Sequence, residues 1–158
     1  MPRIRRTAVV LSGVIALVLV AAATYAFAGR QTADVAVPPD DATPEQVVAA
    51  FLDALDARDC DTAAALWATE TADGGEPSWC GDVAPLDSIE IQDHSLESPA
   101  DSGHDPGDQV AWVDVTFTLD WRAFGSDGSM PEGANDWGYL LVRSSPDDPW
   151  RITDQGHV

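Results

Sequence analysis

The sequence predicts an α+β domain in which N-terminal helices pack on a curved, mostly antiparallel sheet, preceded by a single transmembrane helix. Three observations support this prediction: an alternating run without Gly or Pro at 109–122, two short amphipathic helical patterns upstream of it, and an apolar run near the N-terminus. A sheet with one apolar face needs a second layer to cover it, and the two helical patterns can supply that layer.

The N-terminal segment 1–28 has the features of an export signal. Three arginines, at positions 3, 5 and 6, precede an apolar run over residues 8–28. As a helix this run would be about 31 Å long, enough to cross a hydrocarbon core of about 30 Å, which favours a retained signal anchor. The triplet Ala26-Phe27-Ala28 also has the form of a signal-peptidase site, so secretion after cleavage near Ala28 is the alternative. The arginines predict a single-pass protein of the cell membrane, with the rest of the chain outside the cytoplasm.

Residues 29–42 predict a flexible linker, and residues 43–158 a single extracytoplasmic domain. The linker interval is poor in large apolar side chains and contains two prolines and three aspartates, a composition typical of extended tethers. All 27 acidic residues and five of the eight basic ones follow position 28, which gives the exported part a net charge of −22. We therefore expect no nucleic-acid partner, because such a field repels phosphate backbones.

The helical layer begins at a strong local signal. Thr43-Pro44-Glu45-Gln46 combines an N-cap residue, proline at the first helical position and a capping-box glutamine. Apolar residues then recur at helical spacing to about Ala57. After the junction Asp59-Cys60-Asp61, whose aspartates can cap a helix, a second short alanine-rich helix is predicted through Trp67.

Cys60 and Cys80 are the only cysteines of the chain. An exported domain meets an oxidising environment, so the sequence predicts a disulfide between them. A redox pair normally has Cys-x-x-Cys spacing, and a zinc site would need two further ligands.

The sheet is predicted from alternation. Residues 88–93 alternate, but Leu96 breaks the alternation, which predicts a bulge near His94. In the run 109–122 one side is predicted to be buried and consists of Ala111, Val113, Val115, Phe117, Leu119 and Trp121. The other side holds Trp112, Asp114, Thr116, Thr118 and Asp120. Residues 136–143 are apolar on both faces, which predicts an internal strand, and residues 150–153 form the last strand.

This order of elements, ending in a strand that begins Pro149-Trp150-Arg151, resembles the nuclear transport factor 2-like superfamily, in particular its small SnoaL-like extracytoplasmic members of actinobacterial type. The resemblance covers residues 43–155. It implies an α+β roll in which helices cover the concave side of the sheet and often enclose a pocket. Members include isomerases, dehydratases, polyketide cyclases and non-catalytic modules, so the fold does not specify an activity.

The resemblance also selects the residues to inspect for catalysis. Catalytic members use an Asp, often with His or Tyr, inside the cone, which here points to Asp114, Asp120, Tyr139 and His94. Both aspartates alternate with the apolar residues of their strand and are expected to point away from the interior. We therefore predict no catalytic residue, no metal and no cofactor.

The function expected from the sequence is that of a membrane-tethered, non-enzymatic binding or protein-interaction module. Its partner would be an envelope protein or a small apolar ligand. The residues selected for a pocket or homodimer interface are Trp112, Asp114, Asp120, Trp137 and Tyr139, with core packing as the competing interpretation of the aromatic ones. The alternatives are an isomerase- or cyclase-type enzyme with an Asp general base, and a dimerisation or spacer domain of an envelope assembly.

Overall fold

The computed structural model describes residues 15–20, 30–68, 79–84, 86–122 and 130–158. The chain divides into two compact units, 1–30 and 31–158. In the first, residues 15–20 are helical and exposed. None of the helices that the structure describes is both long enough and apolar enough to cross a membrane. The transmembrane helix predicted over residues 8–28 lies mostly outside the described residues, as does the cleavage site near Ala28.

Two helices form the first layer of unit 31–158. Helix α1 spans Pro44–Ala57 and begins with the predicted capping box, in which Thr43 and Gln46 each bond the other's backbone amide. It ends at Arg58, which adopts the left-handed conformation with φ of 55°. Helix α2 spans Cys60–Ala65. The predicted helices are therefore confirmed, although the second ends earlier than expected.

Five antiparallel strands form the second layer within the described residues, and they confirm the predicted α+β class. Their bounds are β1 Asp87–Ile91, β2 Ser95–Glu97, β3 Gln109–Leu119, β4 Gly133–Arg143 and β5 Arg151–His157. The order across the sheet is β1-β3-β4-β5, and β2 pairs with β3 on the same side as β1. Strand β4 is paired on both sides, as its two apolar faces predicted.

The alternation of β3 determines which face of the sheet is covered. Ala111, Val113, Val115, Phe117 and Leu119 are all buried, as predicted. Trp121, predicted on the same buried side, lies beyond the end of β3 and is only partly buried against the core. In β4, Tyr139 lies opposite Val113 and Trp137 opposite Val115, and residues directly opposite in a sheet share a face. Phe51 of α1 packs on this face, with its ring centroid 5.4 Å from that of Tyr139. We call this the covered face and the other one the outer face.

The bulge predicted near His94 is confirmed by the register. Ile91 lies opposite Val115 and Ser95 opposite Trp112, so the three residues 92–94 face only the two residues 113 and 114. The extra residue restores the alternation and places Leu96 opposite Ala111. A second irregularity, between Asp87 and Glu90, was not predicted from the sequence.

The predicted flexible linker, 29–42, is bound to the domain along part of its length. The backbone N–H of Thr32 donates to the Ala57 carbonyl at 2.8 Å, and that of Val35 donates to Asp59 Oδ2 at 2.9 Å. Val35 packs against the core and Ala42 is buried. The composition of this segment predicts a tether, but it does not show that Val35 and Ala42 contact the core of the domain.

Candidate functional site

The interior between the helices and the covered face is filled by aromatic rings. Tyr139 is fully buried, and Phe51 contacts it edge to face. The Phe51 ring also contacts Trp67 at 6.1 Å and Trp79 at 6.5 Å between centroids, both edge to face. These contacts make Tyr139 part of the core, which is the competing interpretation stated for it above.

Four buried polar atoms of aromatic side chains have no hydrogen-bond partner among the described residues: the Tyr139 hydroxyl and the indole Nε1 atoms of Trp67, Trp79 and Trp137. Burial raises the pKa of Tyr139 far above its ordinary value, so the phenol stays neutral. A neutral phenol can donate a hydrogen bond, but it does not act as a general base. The side chains of β3 on this face are apolar, and they supply no carboxylate to do so.

The outer face holds Trp112 and Asp114, as predicted. The Trp112 indole N–H donates to Asp114 Oδ1 at 2.5 Å, and its ring lies over Gly138 of the neighbouring strand. The Asp114 carboxylate thus accepts a hydrogen bond from a neighbour on the outer face and does not point into the interior. Asp120 lies beyond the end of β3 and is exposed.

The sequence-selected residues therefore do not form one site. Trp137 and Tyr139 lie on the covered face, Trp112 and Asp114 lie on the outer face, and Asp120 lies outside both. Because the sheet separates the two pairs, no single ligand of small size can contact them together.

The predicted disulfide is present between Cys60 and Cys80, with Cα atoms 5.8 Å apart. It joins the first residue of α2 to the segment 79–84. Cys80 is buried, and so is its neighbour Trp79. The bond attaches this segment to the helical layer next to the aromatic rings described above.

Asp59 connects three parts of the fold. Its carboxylate accepts hydrogen bonds from the backbone N–H of Val35 at 2.9 Å and of Thr62 at 3.2 Å, and the side chain caps α2. The hydrogen bond from Val35 is the main cause of a lowered Asp59 pKa, and burial opposes it. This buried acid is therefore a structural cap with its acceptor oxygens in use.

An open groove of about 450 Å³ lies at one end of the two layers, and we call it the end groove. It runs between the start of α1 and the sheet end formed by β2, the start of β3 and the end of β4. Its lining residues are Asp41, Ala42, Thr43, Pro44, His94, Leu96, Glu97, Asp108, Gln109, Val110, Arg143 and Trp150. Sequence reasoning did not identify this site, because these residues come from separate parts of the chain.

The cationic side chain of the groove is held in place. Arg143 donates from Nε to Gln109 Oε1 at 2.6 Å and from Nη1 to the Pro146 carbonyl at 3.1 Å. Its guanidinium carbon lies 4.6 Å from the centre of the Trp150 ring, a cation–π contact. The groove thus has a rigid wall at the β4 end.

Glu45 and His94 form a hydrogen-bonded pair beside the groove, which His94 lines. Glu45 Oε1 lies 2.5 Å from His94 Nδ1 and also accepts the His94 backbone N–H at 2.9 Å. Partial burial alone would raise the pKa of Glu45, but its interactions with Thr43 and His94 outweigh that effect and lower the pKa to about 2. This pair fixes the first turn of α1 to the bulge between β1 and β2.

Leu96 is the most exposed large apolar side chain in the described part of unit 31–158, at 72%, and it lines the groove. The sequence did contain one signal for it, since Leu96 interrupts the alternation of its strand. That signal predicted the bulge, but it did not predict that the Leu96 side chain is exposed to solvent.

No group of three or more His, Cys, Asp or Glu residues within the described ranges is arranged to hold a metal ion. Comparison of the chain with protein-family models, with curated proteins and with solved structures finds no match.

Proposed function

We propose that this protein is a membrane-tethered extracytoplasmic module that binds a partner in the end groove and has no catalytic activity. The observation that carries the proposal is the contrast between the covered interior and the end groove in the part of the domain that the structure describes. The interior is occupied by packed rings, whereas the end groove is open and presents Leu96 to solvent. Exposed apolar residues in a concave surface are typical of binding sites.

The arrangement of the acids supports a non-enzymatic role. A general base must reach its substrate within hydrogen-bonding distance. Asp114 is bonded to Trp112 on the outer face, and Asp59 is occupied as a helix cap. Neither carboxylate is directed at the interior beside Tyr139.

Two further features support the location and the family. The Cys60–Cys80 disulfide is of the kind that persists in oxidising compartments, and the N-terminal arginines with their apolar run have the pattern of an export signal. The helix-covered antiparallel sheet is compatible with the nuclear transport factor 2-like resemblance, which we retain as part of this proposal.

Co-purification from host membranes tests the proposal. Tagged full-length protein is isolated in mild detergent as wild type, Leu96→Ser, Val37→Ser and the double variant Asp114→Asn/Asp120→Asn. Val37 is the matched control, because it is apolar and 53% exposed but does not line the groove. A partner should be retained by wild type, by Val37→Ser and by the double Asn variant, and lost from Leu96→Ser. Full retention by Leu96→Ser, or loss in the double Asn variant, would refute the groove as the binding site.

A further inference from the structure

One side of the end groove is an unpaired strand. Strand β2 pairs with β3 through one edge, with Ser95 opposite Trp112 and Glu97 opposite Val110. Its other edge makes no backbone hydrogen bond with any part of the chain that the structure describes, and all three of its residues are exposed. Such an edge offers N–H and C=O groups to which a further strand can pair.

The groove provides an apolar contact beside this edge. Leu96 lies opposite Ala111, hence on the covered side of the sheet, and the buried Trp150 is a second apolar side chain of the groove lining. Side chains of an added strand alternate, so every second one would lie on the Leu96 side. An apolar side chain at that position would remove Leu96 from water.

The charges of the groove indicate which charge its partner should carry. The carboxylates of Asp41 and Glu97 belong to exposed residues and make no hydrogen bond or ion pair with described residues, and Asp108, whose carboxylate accepts only the Asp105 backbone N–H, is a third acid in the lining. Arg143 keeps its positive charge, because its partners Gln109, Pro146 and Trp150 are neutral, but the three carboxylates of the lining outnumber it. The uncompensated charge of the groove is therefore negative, which favours a positively charged partner.

The same charges disfavour a second copy of this chain as the occupant. The protein has a formal net charge of −19, and two copies paired through β2 would bring identical carboxylates together. Short, charged edge strands also prevent self-association in this way. A positively charged strand is not repelled by these carboxylates.

We propose that the end groove binds an extended, positively charged peptide segment of a partner protein, which adds to the free edge of β2 as a further strand. The inference rests on the proposed function, whose binding site it shares, and specifies the chemistry of the partner.

Fluorescence anisotropy with defined peptides tests the charge and the apolar contact. A labelled octapeptide of alternating valine and lysine is titrated with full-length protein in zwitterionic detergent, next to the matched valine–glutamate peptide. The lysine peptide should bind and the glutamate peptide should not.

The double variant Asp41→Asn/Glu97→Gln should weaken binding of the lysine peptide by about tenfold. The control variant Asp53→Asn/Asp136→Asn, at exposed positions outside the groove, should leave that binding unchanged. Leu96→Ser should weaken it and Val37→Ser should not. Equal affinity for both peptides, or equal loss in the two double variants, would overturn the inference.

Backbone methylation tests the strand pairing itself. In an extended peptide the amides of alternate residues point to opposite edges. N-methylation of one alternate set should abolish binding and methylation of the other set should be tolerated, because only one edge faces β2. Undiminished binding of both methylated peptides would contradict pairing to β2.

The two proposals fail separately. If the lysine peptide does not bind but the co-purified partner still depends on Leu96, the groove is the binding site and the cationic-strand inference is wrong. If Leu96→Ser retains the partner, the proposed function is wrong. Self-association of the full-length protein in sedimentation that is lost in Leu96→Ser would identify a second copy as the occupant and overturn the inference.

Discussion

A tryptophan packs closely against a glycine of the neighbouring strand on the outer face. A Cβ atom added to Gly138 would lie 2.0 Å from Cζ2 of Trp112, whose indole N–H is bonded to Asp114. A methyl group there must displace the ring and break that hydrogen bond. The aromatic residue that looked like a candidate for ligand binding in the sequence therefore packs against its own sheet.

We expect Gly138→Ala to lower the free energy of unfolding by about 1–3 kcal/mol, because the added methyl group overpacks this contact. In a Trp112→Ala background the same substitution should cost much less, because the ring is gone. Urea unfolding of the four proteins gives the coupling between the two positions. Additive losses would contradict the contact.

The Glu45–His94 pair predicts how stability depends on pH. The pKa of Glu45 is about 2 in the folded protein, below its ordinary value of 4.5. Its contribution to stability is therefore fully present above about pH 4.5 and is lost as pH falls towards 2. Because the pair is partly exposed, we expect this contribution to the free energy of unfolding to be less than about 1 kcal/mol. Urea unfolding from pH 2 to 7 should show that Glu45→Gln is less stable than wild type at neutral pH and that the difference disappears near pH 2. A difference that grows on acidification would contradict this assignment.

At the scale of single elements, the helical layer is fixed by a buried cap. Asp59 bonds the backbone of Val35 and Thr62, and so attaches the segment before α1 to the start of α2. We expect Asp59→Ala to cost about 1–2 kcal/mol of stability, and Asp59→Asn less, because the amide oxygen can still accept one of these bonds. Thermal unfolding of both variants tests this, and equal losses would show that the acceptor is unimportant.

The disulfide attaches the segment 79–84 to α2. The chain-entropy model predicts that closing a loop of this length contributes about 3 kcal/mol. We expect the double variant Cys60→Ser/Cys80→Ser to lose about this amount in urea unfolding and to remain folded. Wild type treated with a reductant provides the control, since it should lose a similar amount. An unchanged midpoint in both would show that the bond has no stabilising role.

The elements of this fold were predictable where their signals are local. The capping box before α1 involves four consecutive residues, and the alternation of β3 lies within one strand, so both could be read from the sequence. The bulge near His94 was also predictable, because Leu96 falls out of phase. The attachment of residues 32–35 was not, since it depends on Ala57 and Asp59, which are distant in sequence.

On the scale of the whole molecule, the sheet separates the residues that sequence reasoning placed in one candidate site. The alternation predicted that Asp114 points away from the interior, and the hydrogen bond to Trp112 agrees with that. Trp137 and Tyr139 are on the opposite face, where Phe51 covers them. The end groove could not be predicted, because it exists only when the start of α1, the edge strand β2 and Arg143 are brought to the same end of the domain.

The acidic character of the molecule and the chemistry of the groove are consistent with each other. The chain has a formal net charge of −19, and three carboxylates line the groove against one arginine. A partner that approaches this surface gains most if it is cationic.

Site-specific photo-cross-linking in the host cell tests the groove most directly. A benzophenone amino acid is placed at position 96 in the groove, at position 112 on the outer face, or at position 53 on the exposed side of α1. The groove account predicts a covalent adduct of defined mass from position 96 and none from positions 53 and 112. An adduct from position 112 without one from position 96 would contradict it and would assign binding to the outer face of the sheet.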